Sequence, residues 1–128
     1  MDYNFNVDGS IIHGDPVFTN VFDGIKLIDP RGNWDGVASI YGDRHYDYAK
    51  ILQSLIGYDF ALKNVDIQYI YMGDLLKTFI DWYIQKYGAE SYIELKRKTK
   101  SLILSMLPLH KEDKERCKRF VKLLNVMI

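Results

Sequence analysis

Cysteine is almost absent from this chain. Cys117 is the only one in 128 residues, which excludes an internal disulfide and any multi-cysteine metal centre. A single cysteine fits a reducing compartment. Net charge is also missing, because Lys+Arg and Asp+Glu both number 17. That removes a global electrostatic pull toward nucleic acid or an anionic membrane. Proline numbers only three, and neither a repeat nor a low-complexity segment is visible. No apolar run approaches the about 18 residues of a membrane span. The longest, from Leu102 to Leu109, is broken by Ser105 and Pro108. The first residues, Met1 to Asn6, are neither basic nor followed by an apolar stretch, so no signal peptide is visible. The expectation is a soluble cytoplasmic protein with no membrane span and no nucleic-acid partner.

What is present is a chain of one-domain length with 48% hydrophobic residues, enough for a real core. Its organisation is asymmetric. Residues 1–43 hold most of the nine glycines, with Pro16 and Pro30; residues 44–128 are poorer in both and helically patterned. The expected fold is α+β and mainly α-helical, with residues 1–43 as loop and hairpin and 44–128 as a helical body.

The front predicts a tight hairpin. Asp23-Gly24 separates Val21-Phe22 from Ile25–Ile28, and Asp-Gly between β-prone segments is a hairpin signal. Its open ends bring Asn20 and Asp29 to within about 5 Å at the backbone. Asp29 precedes Pro30, which predicts an extended conformation there. The Gly-rich stretch 33–43 reads as irregular. A first helix is expected from about Arg44–Tyr46 to Ile56, stopped by Gly57. Residues 58–71 read as irregular. Asp74 is the expected N-cap of a second helix through Tyr87, closed by Gly88. Its nearly continuous apolar character suggests a central position. A third helix is expected over 89–106, ending before Pro108. A fourth starts near Glu112, with Cys117, Phe120, Val121, Leu124 and Met127 on one face. The basic run Lys96-Arg97-Lys98 reads as a solvated face with Glu94–Lys98 pairing.

The chemistry concentrates in Ile12-His13-Gly14-Asp15, followed by Asn20 and then by Asp29 at the end of an apolar run. A carboxylate that orients a hydroxyl, followed by an Asn/Asp pair able to hold magnesium, is the layout of phosphoryl transfer. Asp15 is the expected base, and Asn20 and Asp29 the expected Mg2+ ligands. Hard oxygen donors suit that cation. Arg31 is left with two readings, contact to a phosphate or acidic sugar, or pairing with Asp35 or Asp43. Tyr41, Tyr46, Tyr48 and Trp34 could stack on a sugar or pack in the core.

This pattern resembles the C-terminal lobe of small-molecule kinases of the aminoglycoside phosphotransferase and choline kinase type, relatives of protein kinases. Ile40-Tyr41-Gly42-Asp43-Arg44-His45-Tyr46-Asp47-Tyr48-Ala49-Lys50 is similar to a segment of that family. With Ile28-Asp29-Pro30-Arg31-Gly32 and Ser105-Met106-Leu107-Pro108-Leu109-His110, it resembles a subgroup associated with bacterial capsule and surface-polysaccharide genes. The resemblance implies that Asp47 accepts hydrogen bonds from the catalytic-loop backbone and that His13 packs beneath the site. It implies ATP as donor, Mg2+ as cofactor and a small-molecule hydroxyl (sugar, polyol or amino alcohol) as acceptor. One departure stands out. No Gly-rich phosphate loop and no lysine precede His13, and Lys26 is the first lysine. The expectation is therefore a kinase-like C-lobe without its N-lobe. It is either a phosphotransferase or a non-catalytic, truncated or split-kinase module that needs an N-lobe partner or self-associates.

Overall fold

Asp43 begins the helical body. Its carboxylate accepts the His45 amide at 2.9 Å, an N-cap that satisfies one of the free amides of the first turn. Helix α1 then runs Arg44–Leu55, and Gly57, at φ +111, turns the chain out of it. The computed structural model describes residues 8–23, 26–65 and 69–126. Within them follow α2 (Tyr58–Leu62), α3 (Tyr69–Tyr87), α4 (Ala89–Leu109) and α5 (Lys114–Val126). Three short antiparallel strand pairs precede the helices. They are β1 (Ser10–Ile11) with β6 (Tyr41–Gly42), β2 (Val21–Phe22) with β3 (Lys26–Leu27), and β4 (Asn33–Trp34) with β5 (Val37–Ala38). The architecture is α+β and mainly helical.

Helix α4 packs against α1, α3 and α5, while α2 rests on α5. The core is built from Tyr46, Ala49 and Leu52 of α1, Leu95, Leu102 and Ile103 of α4, and Phe120 and Leu123 of α5. Burying each of the leucine, isoleucine and phenylalanine side chains stabilises the fold by about 1.5–3 kcal/mol. Asp8 ties the front to this body. Its carboxylate accepts the Ser10 amide at 2.9 Å and the Arg44 Nε at 2.9 Å. Burial raises its pKa, but these donors outweigh that and hold the carboxyl well below its usual range.

The hairpin forms with Val21 opposite Leu27 and Phe22 opposite Lys26; Gly24 and Ile25 lie outside the described residues. Several expectations need correction. The stretch 33–43 is not irregular. Asp35 and Gly36 both take positive φ, +51 and +80, the geometry that a two-residue hairpin turn demands, and β6 follows to pair with β1. Residues 58–62 form α2, and α3 starts at Tyr69, so Asp74 lies inside that helix and is not its cap. Nor is α3 central. Tyr83 is buried, but Leu75 and Trp82 are exposed, because α3 meets the body along one side only. Helix α4 continues through Pro108 to Leu109 although the missing Pro108 amide leaves the Leu104 carbonyl without its helical donor, and the helix ends one residue later. On α5 the buried face uses Phe120 and Leu123 and leaves Val121 47% exposed; Met127 lies outside the described residues. Glu94 pairs with Arg97.

An aromatic cluster joins α1 to α3. His45 lies against Tyr48, Tyr83 and Tyr87, and its Nδ1 shares a 2.7 Å hydrogen bond with the Tyr83 hydroxyl. Burial lowers the His45 pKa below the ordinary histidine value of 6.5. The unfolded chain therefore binds this proton more readily than the folded one. The His45 contribution is complete above about 6.5 and is lost as pH falls toward the lower folded value. Thermal melts at pH 7 and pH 5 should show a larger drop for the wild type than for His45→Phe. Equal drops would remove His45 from the acid sensitivity. No described helix is long and apolar enough to cross a membrane.

Candidate functional site

The loop from His13 to Asn20 is fixed mainly by groups from elsewhere in the chain. Asp47 on α1 accepts the His13 amide with Oδ2 and the Gly14 amide with Oδ1, both at 2.8 Å. Two charge-assisted hydrogen bonds to one carboxylate lock two successive peptides. Burial nonetheless raises the Asp47 pKa, with the two amides pulling the other way. Gly14 makes the turn at φ +85, and a Cβ there would sit 2.6 Å from the Arg31 Cβ. Only glycine suits that position.

His13 holds the loop to the hairpin. Its Nδ1 receives the Asp15 amide at 3.2 Å, so Nε2 carries the proton and donates to the Ile28 carbonyl at 2.8 Å. The His13 carbonyl accepts the Arg31 amide, also at 2.8 Å. Further along, Ser54 Oγ accepts the Phe18 amide at 3.0 Å and Asp59 Oδ1 accepts the Thr19 amide at 3.4 Å. Phe18–Asn20 then forms a single 3-10 turn that delivers Asn20 to the start of β2.

Asp15 sits at the centre of this frame. Asn20 Nδ2 donates to the Asp15 carbonyl at 2.9 Å and to its Oδ2 at 3.2 Å. With its amide nitrogen so engaged, Asn20 presents Oδ1 as a free oxygen donor. Asp15 Oδ1 faces Lys50 Nζ at 3.5 Å. Asn20 lies across the hairpin from Ile28, whose amide reaches the Asn20 carbonyl at 2.9 Å, and Asp29 is the next residue. Asp29 is exposed but not extended. Its φ is +53, a left-handed position that Asp tolerates better than most residues. The expected proline-imposed extension is overturned by the turn that brings Arg31 back to His13. Asn20 and Asp29 thus share the open end of the hairpin. Their oxygens suit a hard cation completed by phosphate and water. Among the described residues no three His, Cys, Asp or Glu side chains converge as a self-contained metal site.

Arg31 donates from Nη1 to the Tyr46 hydroxyl at 2.6 Å and from Nε to Asn33 Oδ1 at 3.3 Å. Tyr46 is buried and meets Trp34 edge-on, and Tyr48 belongs to the aromatic cluster with His45; Tyr41 is exposed on β6. Lys50, Ser54 and Asp59 are site residues that sequence reasoning missed. A signal was available. Asp47, Lys50 and Ser54 follow one another at three and then four residues, the spacing of a single helix face.

The Lys50 side chain is only 14% exposed. Burial lowers its pKa, with Asp15 opposing. A largely buried ammonium with one partly exposed partner is costly to the fold. Lys50→Met should therefore leave stability unchanged or raise it by about 1 kcal/mol. A denaturant melt showing a loss above about 2 kcal/mol would mean that the ion pair holds the loop in place. Comparison with protein-family models, curated proteins and solved structures finds no match to this chain.

Proposed function

We propose that this chain carries the acid–base and magnesium-binding side of a phosphotransfer site, of the kind found in the C-terminal lobe of small-molecule kinases resembling aminoglycoside phosphotransferases and choline kinase. One observation carries the reading. The Asp15 carboxylate is held between the Asn20 amide and the Lys50 ammonium, beside a hairpin end where Asn20 and Asp29 offer oxygens. In the reaction, the acceptor hydroxyl attacks the terminal phosphorus of ATP. Its proton passes to Asp15, the bond from phosphorus to the bridging oxygen breaks, and ADP leaves. Bound Mg2+ would supply charge neutralisation for the phosphates, held by Asn20 and Asp29. Asp47 and His13 keep the loop in register, so that positioning rather than covalent chemistry does the catalysis. The acceptor class, a sugar, polyol or amino alcohol, and a place in capsule or surface-polysaccharide synthesis follow from the resemblance alone.

The alternative is a module completed by a partner lobe or a second copy. It is favoured by the exposure of Ile11, Phe22, Leu27, Val37, Ile40 and Tyr41 on the strand side, each between 49% and 71%. Exposed apolar side chains that form a contiguous patch mark an interaction surface. Calorimetry with Mg2+ and ATP separates the two readings. Independent catalysis requires Mg2+-dependent ATP binding by the chain alone, weakened by Asn20→Ala and Asp29→Ala. No heat with the wild type, together with concentration-dependent self-association, would favour the module.

A further inference from the structure

A cavity of about 380 Å³ opens beside Lys50. Its walls are the Asp35-Gly36 turn, Arg31, Tyr46 and Lys50, with Ser105 and the apolar Leu102 and Leu109 from the end of α4. That volume suits a ligand of sugar size. Its polar character comes from two cations set around one ring. The Arg31 guanidinium and the Lys50 ammonium lie 5.6 and 5.7 Å from the centre of the Tyr46 ring. Arg31 is already oriented by Tyr46 and Asn33, so little side-chain freedom remains to be lost on binding. Lys50 connects the cavity to the chemistry, because the same ammonium faces Asp15 Oδ1.

Asp15 therefore has two sides. Its Oδ2 meets Asn20, toward the hairpin end that offers oxygens to a cation, and its Oδ1 meets Lys50, toward the cavity. A donor nucleotide belongs on the first side and an acceptor on the second. Resting on the phosphotransfer reading, we propose that this cavity is the acceptor site and that the acceptor carries a carboxylate or a phosphate, bound by Arg31 and Lys50, beside the hydroxyl to be phosphorylated. With Nε and Nη1 engaged by Asn33 and Tyr46, the Nη2 end of the Arg31 fork is left for an oxygen of either group. The Ser105 hydroxyl donates to the Leu102 carbonyl at 2.6 Å, so it can only accept from the ligand. It therefore suits a sugar hydroxyl rather than a second anionic oxygen.

Calorimetry on the whole chain with glucuronate, a glucose monophosphate and glucose tests this. Glucuronate or the monophosphate should bind at least about tenfold more tightly than glucose, and whichever wins identifies the anionic group. Arg31→Gln should weaken that binding by about tenfold or more while changing Mg2+–ATP affinity less than about twofold, and Lys50→Met should weaken it as well. Arg31→Lys, which keeps the charge but not the fork, should fall between. Thermal melts of each variant exclude unfolding, and the wild-type preference is independent of any variant. Equal binding of glucose, no binding of either anion, or variants that lose Mg2+–ATP instead would overturn the anion site. Mg2+–ATP binding without anion binding would overturn it and leave phosphotransfer standing. Anion binding without Mg2+–ATP binding would do the reverse.

Discussion

Asp15→Asn should reduce phosphotransfer by at least about a hundredfold, the usual contribution of a positioned acid–base group, while the protein stays folded. Asparagine keeps the shape of the side chain and can still accept from Asn20 Nδ2, which lies 3.2 Å from the carboxylate. What it loses is the ability to take a proton and the charge facing Lys50. The Asp15 side chain is 41% exposed, but the change leaves the largely buried Lys50 ammonium without its carboxylate, so it should cost the fold about 1–3 kcal/mol, read by a denaturant melt beside the assay. Asp29→Ala should be equally inactive for another reason, loss of a cation ligand, and high Mg2+ should partly restore it. High Mg2+ should do nothing for Asp15→Asn. A transfer assay over a range of Mg2+ distinguishes the two. If both variants retain wild-type rates, the assignment of these residues fails.

Asp47→Ala should have the opposite profile, with stability lost first and activity lost as a consequence. It removes the acceptor of two amides at 2.8 Å and leaves them in a half-buried place without a partner. Each orphaned amide costs about 1–3 kcal/mol, so the sum is on the order of 3 kcal/mol, a large share of a small domain's stability. Asp47→Asn should fall between, since its NH2 group must face an amide donor. Hydrogen exchange offers a local reading. The His13 and Gly14 amides should lose protection in Asp47→Ala, while those within α4 should exchange more evenly with global stability. Unchanged exchange at His13 and Gly14 would mean that the loop is held by other contacts.

Periodic and punctuated features were legible in the sequence. Gly57 and Gly88 mark helix ends, and Val21-Phe22 with Asp23-Gly24 announces a hairpin, because each depends on local chemistry. Asp35-Gly36 carries the same turn signal, but its flanks, Asn33-Trp34 and Val37-Ala38, lack the apolar run that Ile25–Ile28 gives the first hairpin. Helix α3 reads as central because its aromatic residues are as apolar as a core. Tyr83 is buried against His45 while Trp82 is 40% exposed, a division that depends on how α3 docks. At the site, Asp15, Asn20 and Asp29 stand out through spacing. Lys50 shares a helix face with Asp47 and Ser54, but its pairing with Asp15 depends on α1 being docked against the loop, a tertiary fact. The left-handed Asp29 likewise follows from Arg31 returning to His13 and not from Pro30 alone.

The assignment stands or falls on where a divalent cation binds with nucleotide. Paramagnetic Mn2+ in place of Mg2+, titrated with ATP into isotopically labelled protein, locates it directly. Amide resonances of Asp15, Asn20, Ile28 and Asp29 should broaden first, with those of α5 spared, and Asp29→Ala should abolish the effect. Broadening centred elsewhere, or none at saturating nucleotide, would contradict a magnesium site at the open end of this hairpin.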